Sequence, residues 1–189
     1  MSTKYKFHNP QGIYFVSFSV INWIDLFVRN EYRDIMLDSW RYCCKNKGMD
    51  LYAWVIMTSH IHMIMGASKD NPETIMRDMK RWTSIWLKQA IQSNPKESRK
   101  DWMLQQMEEA GRQNSNNVNY QLWRQDNHPI ELYTQEVTLQ KLEYIHNNPV
   151  EAGFTDVAEN YLYSSARNYY GNSKGLIEIK LLDPKICFY

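Results

Sequence analysis

Little in this chain favours one sign of charge: 22 Lys and Arg stand against 21 Asp and Glu, for a net charge of +1. A polyanion would have to meet a local basic patch, because the molecule as a whole has no strong positive field. Cysteine is scarce as well. The three present, Cys43, Cys44 and Cys187, are odd in number and lack zinc-type spacing. They make a poor disulfide framework and point to a reduced, cytoplasmic setting. No stretch of about twenty apolar residues occurs, so no membrane span is expected. Residues 1–8 carry no apolar run of the signal-peptide kind. Neither an internal repeat nor a strong linker divides the 189 residues. They read as one domain, with a core at about 10–170 and a C-terminal extension at 171–189.

What is abundant is aromatic: seven Trp, thirteen Tyr and six Phe. Such rings stack on nucleobases in some proteins, but the larger share is expected to fill a core. Residues 13–21 are rich in β-branched and aromatic side chains and apolar on both faces, so they read as a central strand. Residues 31–47 read as a helix, with Tyr32, Met36, Trp40 and Cys43 at helical spacing and Gly48 as its stop. Residues 51–57 and 61–67 then read as two strands joined by a tight turn at Thr58-Ser59-His60.

Asn71-Pro72-Glu73 is a strong helix start. The helix it opens is expected to bury Ile75, Met79, Trp82 and Trp86 and to turn Lys80, Arg81 and Lys88 outward. That basic face could grip phosphates, but this segment taken by itself favours a plainly solvated helix face. Residues 98–111 read as a weaker helix with Trp102, Leu104 and Met107 inward, and 113–119 as a loop. Residues 120–124 and 130–133 are expected as short strands, and 176–182 as a last one. Thr134 can cap a helix over 135–148, which Pro149 should end.

Chemistry concentrates in two places. In His60-Ile61-His62 the alternation of a strand puts both imidazoles on one face. Neutral imidazoles at that spacing can hold a divalent cation, although two histidines sharing a half-buried strand need no metal. In the helix over 135–148, Tyr144 and Asn148 are four apart and share a face. A phenol can attack phosphorus to form a covalent phosphotyrosine. With an ordinary pKa near 10 it needs help at neutral pH, of the kind a metal supplies by neutralising charge on the phosphate.

Four segments carry a family resemblance: YAWVIMTSHIHMIM at 52–65, LWRQDNHPIEL at 122–132, YIHNNPVEAGF at 144–154 and YLYSSA at 161–166. In this order they resemble the single-tyrosine transposases of the His-hydrophobic-His nuclease superfamily, most closely the REP-associated tyrosine transposases with their insertion-sequence-200-like domain. Thr58-Ser59 stands where Pro-Asn is common in the family, and residues 96–119 are particular to this chain's subgroup.

The resemblance implies an α+β fold: a ferredoxin-like, RNA-recognition-motif-like antiparallel sheet of four to five strands with helices mainly on one face. It implies that Tyr144 is the nucleophile and that His60, His62 and Asn148 bind Mg²⁺ or Mn²⁺. The implied activity is nicking and strand transfer on single-stranded DNA beside a hairpin, through a 5′-phosphotyrosine. Lys80, Arg81, Lys88, Arg124 and Arg167 are the candidate DNA-binding residues. Related transposases can exchange the tyrosine helix between subunits, which leaves a homodimer with composite sites open. Two rival readings keep the fold: a domesticated protein that binds structured nucleic acid without cutting it, and a metal-dependent hydrolase of small phosphoesters, which would not need Tyr144.

Overall fold

The computed structural model describes residues 7–114, 119–125, 127–171 and 174–182. The elements run β1 (Tyr14–Ser19), α1 (Asn30–Tyr42), β2 (Met49–Ile56), β3 (His60–Ala67), α2 (Pro72–Ser93), α3 (Lys100–Arg112), β4 (Ile130–Glu131), α4 (Gln135–Glu151) and α5 (Ala166–Tyr170). The four strands form one sheet in the order β2-β3-β1-β4. Neighbouring pairs are all antiparallel, which is the ferredoxin-like arrangement.

The two faces of the sheet are apolar in different ways. On one face Val16, Phe18, Ile61, Met63 and Met65 join side chains of α1, α2 and α3 in the larger core cluster. On the other, Phe15, Ala53, Val55 and Ile64 pack with Leu142 and Ile145 of α4. Six of the eight residues of β3 are buried, as expected of a strand covered on both faces. Phe15, Ser17 and Ser19 stand opposite Ile64, His62 and His60, so the histidines share the face that α4 covers.

Local signals placed most of the helices. Helix α1 passes into a π-helical turn at Cys43–Lys47, and Gly48 stops it at φ 69°, a backbone angle that glycine adopts without penalty. The Asn71 side chain accepts from the Glu73 N–H with Pro72 at the first turn. The Thr134 hydroxyl accepts from the Val137 N–H.

Several expectations need correction. Trp82 and Trp86 are 40% and 46% exposed; the buried stripe of α2 is Ile75, Met76, Met79, Thr83, Leu87 and Ile91. The turn toward Thr83 has a partner-specific cause. The Trp123 indole N–H donates to the Thr83 hydroxyl at 3.0 Å, and that of Trp40 to the Met79 sulfur at 3.0 Å. In α3, Met103 takes the inward place expected of Trp102, which is 49% exposed.

Pro149 does not end α4: the helix runs on to Glu151 with the proline inside. Its fixed φ suits a helix, and so close to the end it forfeits only one hydrogen bond. Residues 120–124 reduce to a bridge between Val20 and Trp123. Residues 176–182 form no strand, although the Lys180 N–H donates to the Leu51 carbonyl at 2.9 Å. Among the described residues no helix is long and apolar enough to cross a membrane.

Candidate active site

The site forms where the His-bearing end of β3 meets α4. His60 and His62 project from the same face with ring centroids 4.9 Å apart. Tyr144 of α4 lies over them, its ring 5.1 Å from that of His62 and its hydroxyl 3.5 Å from His62 Nε2. Asn148, one turn further along, is close enough to His60 for its side-chain amide to act on that ring. All four residues singled out in the sequence are thus brought together, and within one chain.

Each of these side chains is fixed by its neighbours. Leu142 and Ile145 bury one side of α4 against the sheet, which leaves Tyr144 at the edge of that face, 40% exposed. On the other side of α4, His146 is 1% exposed. Its Nε2 lies 2.9 Å from the Ser165 hydroxyl and its Nδ1 3.3 Å from the Tyr170 hydroxyl. Ser165 in turn accepts from the Trp54 N–H of β2 at 2.9 Å. His146 therefore clamps the tyrosine helix to the sheet through the YLYSSA segment, which explains why that segment accompanies the site.

Burial sets the charge of the histidines. It pushes His60 down, against the Asn148 amide, which acts the other way. It pushes His62 down to about 3, with His60 and Lys141 adding to the effect. Both rings are therefore neutral at pH 7 and keep a lone pair for a cation. His62 Nδ1 is buried without a hydrogen-bond partner, a cost that a polar site usually carries for a purpose. Two neutral imidazoles and an amide fit a divalent cation in their chemistry. The described residues contain no group of three or more His, Cys, Asp and Glu side chains that could hold one; the third donor here would be an amide.

Three neighbours of the site escaped the sequence reading. Phe15 stacks on His62 at 5.6 Å and meets Tyr144 edge-on at 5.9 Å. The Lys141 ammonium lies 5.1 Å from the Phe15 ring and 5.7 Å from the Tyr144 ring. Trp23 meets His60 edge-on at 5.5 Å. Lys141 could have been found, since it lies one turn before Tyr144 on the same helix. Phe15 and Trp23 carry no local signal.

The candidate DNA-binding cations are scattered. The Lys80 ammonium donates to the Arg124 carbonyl and the Asn127 side-chain oxygen, both at 2.7 Å. These two basic residues and Arg81 line one cleft of about 430 Å³. Lys88 lies 4.1 Å from the centre of the Tyr120 ring. Arg167 belongs to α5 and donates to the Glu159 carbonyl at 3.3 Å, with no contact to the other four. Cys43 is buried and Cys44 half-buried. Burial pushes both thiols up to about 11, so neither is poised as a nucleophile. Cys187 lies outside the described residues.

The chain was compared with known proteins. No curated protein matches it in sequence. In fold it is similar to a solved REP-associated tyrosine transposase bound to a REP hairpin, at a TM-score of 0.63 and 14% identity over 97% of this chain and 94% of that one. The family model described as "Transposase IS200 like" matches residues 24–119, a span that holds His60 and His62 and stops short of Tyr144. Since that match covers just over half of the sequence, the chain belongs to the IS200-like transposase family.

Proposed function

We propose that the protein nicks and rejoins single-stranded DNA beside a hairpin, with Tyr144 as nucleophile. The observation that carries this reading is the placement of the Tyr144 hydroxyl 3.5 Å from His62 Nε2, within the cluster that also holds His60 and Asn148. A phosphate seated at that cluster would lie beside a half-exposed phenol. Tyr144 forms a bond from its oxygen to phosphorus, the P–O3′ bond breaks, and the DNA 5′ end is left on the tyrosine with a free 3′ hydroxyl. The phenol proton leaves to water, which the 40% exposure of Tyr144 permits, and the departing 3′ oxygen takes one up. The phosphodiester energy stays in the phosphotyrosine, so the reverse attack by a 3′ hydroxyl rejoins strands without ATP.

His60, His62 and Asn148 would hold Mg²⁺ or Mn²⁺, which when bound neutralises charge on the phosphate. The Lys141 ammonium lies 5.7 Å from the centre of the Tyr144 ring, a cation placed to attract a phosphate at the cluster. His146 keeps α4 seated, and Phe15 holds the His62 and Tyr144 rings in register. A neighbour of the same fold bound to a hairpin supports DNA as the partner here. Binding without cleavage is the second reading, and the filled Tyr144, His60, His62 and Asn148 positions weigh against it.

The test is denaturing electrophoresis of the protein with hairpin oligonucleotides labelled downstream of the break, on the fragment whose 5′ phosphate the tyrosine keeps. Wild type should give a labelled protein band that requires a divalent ion and disappears with chelator. Tyr144→Phe, which removes one oxygen from an exposed side chain, should keep its DNA affinity and lose the band. A band that persists in Tyr144→Phe would pass the role to another residue, and cleavage without any adduct would show water to be the nucleophile.

A further inference from the structure

Immediately after β1 the backbone does something costly. Asn22 has φ 51° and Trp23 φ 53°, two successive non-glycine residues in the left-handed region. Asparagine visits that region readily, while a bulky aromatic residue there is an outlier. The local cause is visible. Ile21 and Ile24 are each 3% exposed, so the chain dips into the core on both sides of a two-residue turn. The Trp23 N–H donates to the Val20 carbonyl and the Ile24 N–H to that of Ile21, both at 3.2 Å. The Asn22 amide is pinned to the Gln106 side chain on α3 at 2.8 Å.

The strain does not serve the core. Trp23 is 55% exposed, so the turn holds a large apolar ring out in water. Strain of this kind collects at ligand clamps, and the neighbours of this ring point to a ligand. One edge contact is His60, at 5.5 Å. The Arg124 guanidinium lies 5.7 Å from the ring centre. Behind Trp23 opens a cleft of about 770 Å³, lined by Asn22, Gln113, Asn114, Gln121, Arg124 and Gln125 among others. Side-chain amides with a single cation suit the edges of bases better than a run of phosphates. Gln121, Arg124 and Gln125 also line the cleft that holds Lys80 and Arg81, so the two clefts adjoin.

We propose that Trp23 is the stacking platform for the nucleobase next to the phosphate seated at His60 and His62, and that the amide-lined cleft behind it receives the unpaired nucleotides that follow. This rests on single-stranded DNA being the substrate. A base laid on the free face of Trp23 fixes the sugar-phosphate backbone beside the histidines, which is what an attack by Tyr144 requires. The glycine at 111 helps build the cleft: a Cβ there would stand 2.4 Å from the Tyr120 Cα, so only glycine lets the end of α3 lie against the segment that carries Gln121 and Arg124.

The probes are a fluorescein-labelled dT20 and a 20-mer of abasic deoxyribose phosphates, which carries the same charge without bases, measured by anisotropy at 50 mM salt. Wild type should bind dT20 more tightly than the abasic strand by on the order of ten- to a hundred-fold, as base–aromatic stacking supplies. Trp23→Ala should lose most of that preference and keep its affinity for the abasic strand. Trp23→Phe should retain most of the preference. Arg81→Ala should weaken both probes alike. Because over half of Trp23 is exposed, Trp23→Ala should melt within a few degrees of wild type.

A 5-iodouracil substituted in dT20 should crosslink to the peptide that contains Trp23. A wild-type preference that survives in Trp23→Ala, or crosslinks confined to the exposed Trp82 and Trp86, would overturn the platform while leaving DNA binding in place. A wild-type protein that binds neither probe would overturn the DNA reading and the platform together.

Discussion

The clamp behind the tyrosine helix gives the sharpest prediction, because its energy can be worked from one residue. His146 is 1% exposed, and burial alone pushes it down to about 4, against about 6.5 in an unfolded chain. The sign follows from proton uptake. Below pH 6.5 the unfolded chain binds a proton at this position that the folded protein refuses, so stability falls as pH drops. The loss runs from pH 6.5 down to about 4 and then stops. At about 1.4 kcal/mol per unit, the whole window is worth about 3 kcal/mol, of which about 2 kcal/mol is lost between pH 7 and pH 5.

His146→Gln removes the titration, and its terminal amide can still reach the Ser165 hydroxyl. Urea unfolding of both proteins at pH 7 and pH 5 isolates the residue, since His60 and His62 contribute equally to each. With a urea slope of about 2–3 kcal/mol/M for a chain of this size, the wild-type midpoint should drop by roughly 0.7–1 M more than that of His146→Gln. Parallel pH dependences would show that the folded protein accepts the proton at His146 at little cost, and that the clamp described above does not depend on a neutral ring.

Two further outcomes test other parts of the structure. Burial pushes the Glu97 carboxyl up, and hydrogen bonds from Arg99 and Arg29 more than offset this, holding it at about 2. Glu97→Gln should therefore cost about 3 kcal/mol at pH 7, and the gap to wild type should shrink as pH falls from 4.5 toward 2; a gap independent of pH would rule out an ionised Glu97 as the stabilising form. If Lys80 and Arg81 meet phosphates, each replacement by Ala should lower the log–log salt slope of single-strand binding by roughly 0.7. Lys80→Ala should in addition destabilise the fold by about 1–2 kcal/mol through its lost contacts to Arg124 and Asn127, whereas an unchanged slope in the double variant would move the DNA to another surface.

Local periodicity alone was enough to pair the candidate site residues. A repeat of two put His60 and His62 on one face of β3, and a spacing of four put Tyr144 and Asn148 on one face of α4. Both follow from backbone geometry over a few residues, and the structure bears out both. The same holds for the caps at Asn71 and Thr134 and for the stop at Gly48, where side-chain chemistry and backbone sterics act within a turn.

What the tertiary structure decided is everything that depends on which face finds a neighbour. Helix α2 offers more than one apolar stripe, and only the arrival of Trp123 at Thr83 and of Trp40 at Met79 turned Trp82 and Trp86 outward. Pro149 reads as a stop in isolation, yet packing at the end of α4 outweighs one missing hydrogen bond. Above all, residues 60–62 and 144–148 are some eighty positions apart, and no local rule says that they touch. They meet because α4 covers the face of the sheet opposite α1 and α2, where Leu142 and Ile145 bury themselves on Ala53, Val55 and Ile64. That long-range burial, and not any preference of the tyrosine or the histidines, brings the phenol to the imidazoles.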